Sequence, residues 1–541
     1  MQHHGFYEEG PSTQSSILWT QRNAVMGSFY VPWVGPDKCR VWILICLLVA
    51  AVLVCFIYIP VATCSANDDG GVCAPQVSPQ ELPGLYTVDV SMLRGCPCNA
   101  STVIRSLSNA RTLSNTIFAN GDVPPLLELR GLSALTVTIL QFVLNDIALS
   151  RWDGSTYYEL PVPLGDPFFA TPVNITLGNW ATSPDGAGCP NPVTYTTSFI
   201  DLSNVYGVNA TFLALYLRSG EGGRLLVDPD GPLLPYAFTG APFLMADPRD
   251  GYTADLAALH TLLVLNHNSW AQRVAALHAE WDDDQLFWKA RQLNVAEWQH
   301  VLYHEWLPAL LGTLAPPRVS ALSTYDITLA SAVRVEVATV IIPAFVDTLT
   351  PAAYGSTTWG AQHGVETAAT LLQTAGTVGT FLTSVINTPA FAFDARTING
   401  RRNLYYNDTE PEDLVAEHVQ RARILRVPDW AAIYTCFGTI PVAGDPRDAY
   451  EGFLEEIIYP GTSTGLTGSA VLASEFARLR DADPMFYSFR RKQIGQIFWD
   501  DILEGTMAGI LTRSLGLSFP VLKSRNVFFV AVPGTDADGR R

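Results

Sequence analysis

Residues 254–281, ADLAALHTLLVLNHNSWAQRVAALHAEW, repeat their apolar positions at the helical period, and Leu256, Leu259 and Leu263 share one face. A helix of this length must pack its stripe against other helices, so this segment more than any other restricts the fold. Asp282, Asp283 and Asp284 then supply negative charge where a new helix begins, and Leu286, Ala290 and Leu293 form its stripe. Pro308 and Gly312 in WLPALLG punctuate the end of that region. The expected class is mainly α. No repeat period and no linker divides residues 101–525, which read as one large helical domain.

Residues 140–149, LQFVLNDIAL, form a second helical segment suited to burial, yet they carry Gln141, Asn145 and Asp146. Gln141 and Asn145 lie four apart on one helical face, and Asp146 points elsewhere. A chain of 541 residues, 48% hydrophobic, has a core large enough to hide such groups. Its 33 basic and 51 acidic residues give a net charge of -18, a field that repels phosphate backbones and excludes nucleic acid as a partner.

Residues 41–63 contain no charge and are long enough to cross a bilayer as a helix. Lys38 and Arg40 precede them and Asp68 and Asp69 follow, so the positive-inside bias predicts a single-pass type II signal anchor with the bulk of the chain extracellular or lumenal. The expected organisation is a cytosolic segment at 1–40, the transmembrane anchor at 41–63, a Cys/Pro/Gly-rich tether at 64–100, the helical domain at 101–525 and a tail at 526–541. Glycosylation sequons occur at Asn99, Asn174, Asn209 and Asn407, all beyond the anchor. Six cysteines, Cys64, Cys73, Cys96, Cys98, Cys189 and Cys436, also follow it and permit 15 connectivities. CPC at Cys96 and Cys98 is too short for an internal pair, which leaves each with a distant partner or free.

Residues 196–207, TTSFIDLSNVYG, alternate oxygen donors at Thr197, Asp201 and Ser203, with the Phe199 carbonyl between them. Such a loop wraps a hard cation, and a carboxylate from elsewhere, such as Asp146, completes a calcium set of six to eight oxygens. On spacing alone an ordinary polar turn is the simpler reading. His300 and His304 are four apart and could face a metal, but with no further ligand in sequence they read as a helix surface.

From ARTLSNTIF through TSFIDLSNVYG, ADPRDGYTADLAALHTLLVLNHN, HEWLPALLG and EHVQRARILRVPDW to FARLRDADPMFY, the chain resembles the animal haem peroxidases, with the segments in the family's order. The resemblance implies a mainly α-helical domain that buries haem, with a proximal His, a distal Gln, His and Arg, and a calcium ion beside the distal helix. Gln141 and Arg249 match the distal Gln and Arg, while Asn145 stands where the distal His belongs and Leu144 where a haem-linking Asp belongs. Asp146, Thr197, Phe199, Asp201 and Ser203 match the calcium positions. Tyr252 replaces a Glu that forms a second haem ester in some members. On the proximal side the ligand position falls on Val337 or Ala338, and neither can bind iron. Arg334 and Arg421 match arginines that meet the haem propionates, with ordinary salt bridging as the competing role. His418 replaces an Asn that hydrogen bonds the proximal His.

Peroxide activation needs a distal base and a proximal ligand, and both are changed here. The expected function is therefore a membrane-anchored pseudoperoxidase with a retained calcium loop, acting as an interaction module toward a protein partner. The opposing expectation is a working haem peroxidase with His418 as substitute axial ligand and Arg249 and Gln141 on the distal side.

Overall fold

The computed structural model describes residues 90–98, 108–119, 126–184, 188–228, 234–235, 243–317, 325–360, 363–374, 378–406, 409–437, 447–517 and 526–530. By contacts the chain divides into Met1–Gln76, outside the described residues, and Val77–Arg541, a compact unit. The helices that build its core are α1 (Ala110–Thr116), α2 (Ala134–Ile147), α3 (Ala254–Leu277), α4 (Asp283–Val301), α5 (Leu307–Leu311), α6 (Ile342–Leu349), α7 (Val378–Asn387), α8 (Leu414–Ile424), α9 (Leu466–Ala482) and α10 (Met507–Leu515). Mainly helical architecture is what the periodicity predicts.

The central helix is α3. Every residue from 254 to 264 is at most 5% exposed, because α2, α4, α7 and α10 cover it on several sides. One stripe is thus too narrow a description: Ala254, Ala257 and Ala258 let neighbours approach the faces that the leucines leave. The start of α4 follows from its sequence. Asp282 Oδ1 accepts the Gln285 N–H at 2.8 Å while Gln285 Oε1 accepts the Asp282 N–H at 3.0 Å, a capping box, with Asp283 and Asp284 in the first turn. Leu286, Ala290 and Leu293 are buried beneath it. The N-terminus of α2 is capped by the Ser133 hydroxyl, and of this helix only Gln141 and Leu144 stay half-exposed.

Short strands, β1 excepted, fill the connection after α2. β1 (Val90–Ser91), β5 (Pro190–Thr194) and β4 (Thr182–Pro184) form an antiparallel sheet in the order β1-β5-β4, and β2 (Trp152–Pro161) pairs with β3 (Asn174–Trp180) as a bulged hairpin. The last part of the stretch expected as a tether is built into the fold. Leu93 exchanges backbone hydrogen bonds with Val333 and Val335, and disulfides join Cys96 to Cys436 and Cys98 to Cys189. Each cysteine of CPC therefore has a distant partner. Near the other end, the Phe528 carbonyl accepts the Ser133 N–H and the Val530 N–H donates to Gly131, so 526–530 pack on the start of α2.

The single-pass membrane topology needs correction. Among the described residues no helix is long and apolar enough to cross a membrane, and residues 41–63, on which the expectation rested, lie outside the described residues. A run of uncharged residues in sequence is not by itself a spanning helix, so neither the anchor nor the type II placement is carried further. Of the sequons, Asn174 and Asn209 are exposed, and Asn99 and Asn407 lie outside the described residues. Asn209 Oδ1 accepts the N–H groups of Thr211 and Phe212.

Candidate functional site

The half-exposed face of α2 starts one side of the site. Gln141 Nε2 donates to Asn145 Oδ1 at 3.0 Å, and Asn145 Nδ2 donates to Asp250 Oδ1 at 2.9 Å. Asp250 is fully buried and its other oxygen meets Asn204 Nδ2 at 3.0 Å and His260 Nδ1 at 2.8 Å. Burial raises its pKa, and the hydrogen bond and charge of His260 oppose that shift. Arg249 turns to the end of α2, donating to the carbonyls of Ala148 at 2.7 Å and Asn145 at 2.8 Å and pairing with Asp247 at 2.7 Å. A guanidinium there complements the negative end of the helix. The sequence-predicted distal trio is thus brought together around Asn145, with Arg249 meeting its backbone.

A second group of residues begins with a π-helical turn, Val337–Ile341, that runs into α6, and α6 packs on α2. Val337 is 0% and Ala338 7% exposed, and neither side chain has a donor atom. One and a half turns into α6, the buried Asp347 gathers three partners. Arg401 Nε and Nη2 donate at 2.8 and 2.6 Å, His418 Nδ1 lies at 2.7 Å, and the Tyr450 hydroxyl bonds the same carboxylate. Burial alone would raise the pKa of Asp347, but the charges of His418 and Arg401 hold it well below the usual carboxylate range. His418 itself is half-buried, with its side chain 28% exposed.

Both remaining arginines are engaged. Arg334 pairs with Glu475 at 2.7 Å, and Arg421 donates to the Gly178 carbonyl at 2.6 Å while its guanidinium lies 4.4 Å over Trp180. Burial lowers Arg421 to about 10, and Glu417 lies within Coulombic reach of it. Glu412 is pushed up to about 7 by burial, and burial followed by the charge of Glu412 raises Glu417.

The oxygen-rich loop folds directly onto α2. Asp146 is 0% exposed and accepts the Leu202 N–H at 3.2 Å, the Ser203 N–H at 2.7 Å and the Ser203 hydroxyl at 2.9 Å. Leu202 adopts φ +57, a left-handed conformation rare outside glycine, which turns those two N–H groups toward the carboxylate. The Ser203 N–H also meets Asp201 Oδ1 at 3.0 Å, and Thr197 Oγ1 donates to Asp201 Oδ2 at 3.0 Å. Thr197, Phe199, Asp201 and Ser203 are all buried. Asp146 is raised well above its ordinary value by burial and by the nearby charge of Asp201; Asp201 is raised by burial, against the pull of Arg291. A third carboxylate, Asp483, is pushed up to about 8, first by burial and in part by Asp201. Among the described residues no group of three or more His, Cys, Asp or Glu side chains is placed to hold a metal ion. Any cation here would depend on hydroxyl and carbonyl oxygens beside two carboxylates.

Several of these residues escape a reading by motif. Asp347 is a lone carboxylate in an apolar run, the same signal that marks Asp146, and its partners Arg401, His418 and Tyr450 are 54 to 103 residues away; Asp250 and Asp483 sit among other charged residues and carry no such signal. His300 and His304, expected on a helix surface, are instead turned toward Tyr487, with His300 buried.

Known proteins show the same architecture. The family model for animal haem peroxidases matches residues 82–443. Human dual oxidase 1 is 30% identical over 237 residues, 39% of this chain and 15% of its own length. Peroxinectin A of Dictyostelium discoideum is 28% identical over 204 residues, 32% of this chain and 38% of its own. The chain therefore spans well under half of these relatives. Among solved structures, peroxidase A from Dictyostelium discoideum aligns with a TM-score of 0.69 at 20% identity, covering 82% of this chain and 96% of that one. Fatty acid alpha-dioxygenase from Arabidopsis thaliana aligns at 0.70 and 14% identity, covering 86% and 87%. Identities this low show a shared fold alone. From the family match, and from segments arranged in one compact unit in the family's order, the chain belongs to the animal haem peroxidase family.

Proposed function

We propose that this member keeps the peroxidase scaffold and a calcium-binding loop while lacking peroxidase catalysis, and that it acts as an interaction module for a protein partner. The observation that carries the reading is Asn145. It occupies the distal-base position, its Oδ1 takes a hydrogen bond from Gln141 and its Nδ2 is given to Asp250. An amide does not titrate near neutral pH, and losing general acid–base catalysis costs on the order of 10²- to 10⁴-fold whatever holds the iron.

The proximal residues support the same reading. Haem fits poorly against them, since Val337 and Ala338 offer no ligand atom, Arg334 and Arg421 are engaged by Glu475 and Gly178, and Glu417 would repel a propionate beside Arg421. For calcium the chemistry is the reverse. Two buried carboxylates, Asp146 raised by burial and the charge of Asp201 and Asp201 raised by burial, form a site that a hard divalent cation neutralises, with Thr197, Ser203 and the Phe199 carbonyl as neutral oxygens.

One observation favours a second reading. An Nδ1–H to carboxylate bond is what orients histidines that bind metal through Nε2, and His418 has that bond with Asp347. The test that separates the two is haem titration of the full chain. The proposed reading expects no stoichiometric Soret band; a stoichiometric band that disappears in His418→Ala would establish the second reading in its place.

A further inference from the structure

Arg291 projects from the middle of α4 and is only 7% exposed. Its guanidinium carbon lies 4.6 Å from the centre of the Tyr206 ring and 5.5 Å from that of Trp288. Such contacts stabilise a cation, but they do not neutralise it. Among the described residues no carboxylate stands within ion-pair distance of Arg291, whereas the buried Arg111 pairs with Asp166 and Asp413, and Arg401 with Asp347. A buried charge without balance is costly, so whatever balances Arg291 acts across a gap.

The packing of α4 shows what lies across that gap. Asn294, one turn after Arg291, donates from Nδ2 to Tyr206 Oη at 2.8 Å, and Phe287, one turn before it, meets the Tyr206 ring edge-on with centroids 6.2 Å apart. Further along the helix, Gln299 Nε2 donates to the Ile200 carbonyl at 2.7 Å. Tyr206 ends the short helix Ser203–Tyr206, whose first residue bonds Asp146, and Ile200 immediately precedes Asp201. One face of α4 therefore lies along the oxygen-rich loop, and the Tyr206 ring holds the guanidinium beside the loop without letting it bond the carboxylates. The charge of Arg291 reaches Asp201 all the same and favours its ionised form.

We propose that Arg291 is an electrostatic brake on calcium binding at the Asp146 and Asp201 loop: its fixed charge balances the loop carboxylates when no cation is present and opposes a divalent cation that enters. The inference rests on the calcium reading of that loop. Calcium affinity follows the net charge around the ion as well as the number of oxygens, so a cation held near the site but off its ligands lowers affinity without removing a donor. At an effective dielectric near 20, a unit charge about 10 Å from a divalent ion changes its affinity by more than ~10-fold, and burial limits the screening by salt.

The test is calorimetric titration of the full-length chain with calcium chloride at pH 9, where protons compete least for the loop carboxylates. Arg291→Met removes the charge and keeps a long side chain against the two rings. It is expected to bind calcium at least ~10-fold more tightly than the parent, while Arg291→Lys, which keeps the charge, stays within ~3-fold of the parent. Damage to the packing of the loop would weaken calcium binding, so the direction of the change separates charge from structure. Equal or weaker binding by a folded Arg291→Met, or tightening of the same size in Arg291→Lys, overturns the proposal and leaves the calcium reading standing. Calcium uptake by none of the three chains overturns that reading and the proposal with it. Circular dichroism checks folding, and should Arg291→Met unfold, Arg291→Gln carries the same comparison.

Discussion

Replacing Asp347 with Asn tests how the proximal wall is held. The carboxylate is fully buried and answers Arg401 at 2.8 and 2.6 Å, and Arg401 is only 5% exposed, stacked 4.6 Å from the Trp359 ring. Removing the anion leaves a buried guanidinium without its charge partner, a loss of about 3–5 kcal/mol. His418 is better placed to recover solvent, so His418→Gln, which leaves the Arg401 pair intact, is expected to cost about 0.5–1.5 kcal/mol. The pH dependence gives an independent check. Asp347 has its folded pKa depressed, so the unfolded chain binds more protons in the window below the ordinary carboxylate value. Its contribution is fully present above that value, about 4, and is lost as pH falls through the folded pKa. Urea unfolding of both proteins at a series of pH values measures the difference. A deficit under ~1 kcal/mol at pH 7, or one that does not shrink below about pH 4, refutes an ion-pair role for Asp347.

Three further predictions address other parts of the molecule. Calcium at about 100 times its dissociation constant is expected to stabilise the chain by ~2.7 kcal/mol, and Asp201→Asn to abolish that gain without lowering stability in chelator; thermal melts with and without calcium check both. In chelator, Asp483, raised to about 8, makes stability present below the ordinary carboxylate value and lost as pH rises through about 8; the slope approaches about 1.4 kcal/mol per pH unit and is absent in Asp483→Asn. Gly312 has φ +53 and a Cβ there would fall 1.7 Å from the Gly461 carbonyl oxygen, so Gly312→Ala is expected to cost about 3 kcal/mol or more, against about 1–2 kcal/mol for Gly461→Ala, where φ is +82 and space is open.

The helices were the legible part of this chain. Periodicity in 254–281 and the acidic run Asp282, Asp283 and Asp284 are local signals, and α3 and α4 follow them. The β2–β3 hairpin was not foreseen, because its largely exposed face weakens the alternation that marks a strand. In the site, the polar residues of α2 were visible as exceptions in an apolar run, but spacing could not say that Asp146 faces residues more than fifty positions later. That link came from resemblance to a family. Asp347 was missed for the converse reason: it acts through partners remote in sequence, and it stands outside the segments that carry the family resemblance. Arg249 was expected to face a ligand, and its place at the end of α2 depends on backbone carbonyls that no side-chain pattern reveals.

Peroxide turnover of the haem-supplemented full chain, compared with free haem at equal concentration and with a one-electron donor present, tests the central claim most directly. The account predicts turnover no greater than that of free haem, in the parent chain and in Arg249→Ala alike. Turnover well above free haem that falls in Arg249→Ala would contradict it, since it would require a working distal side built around Asn145.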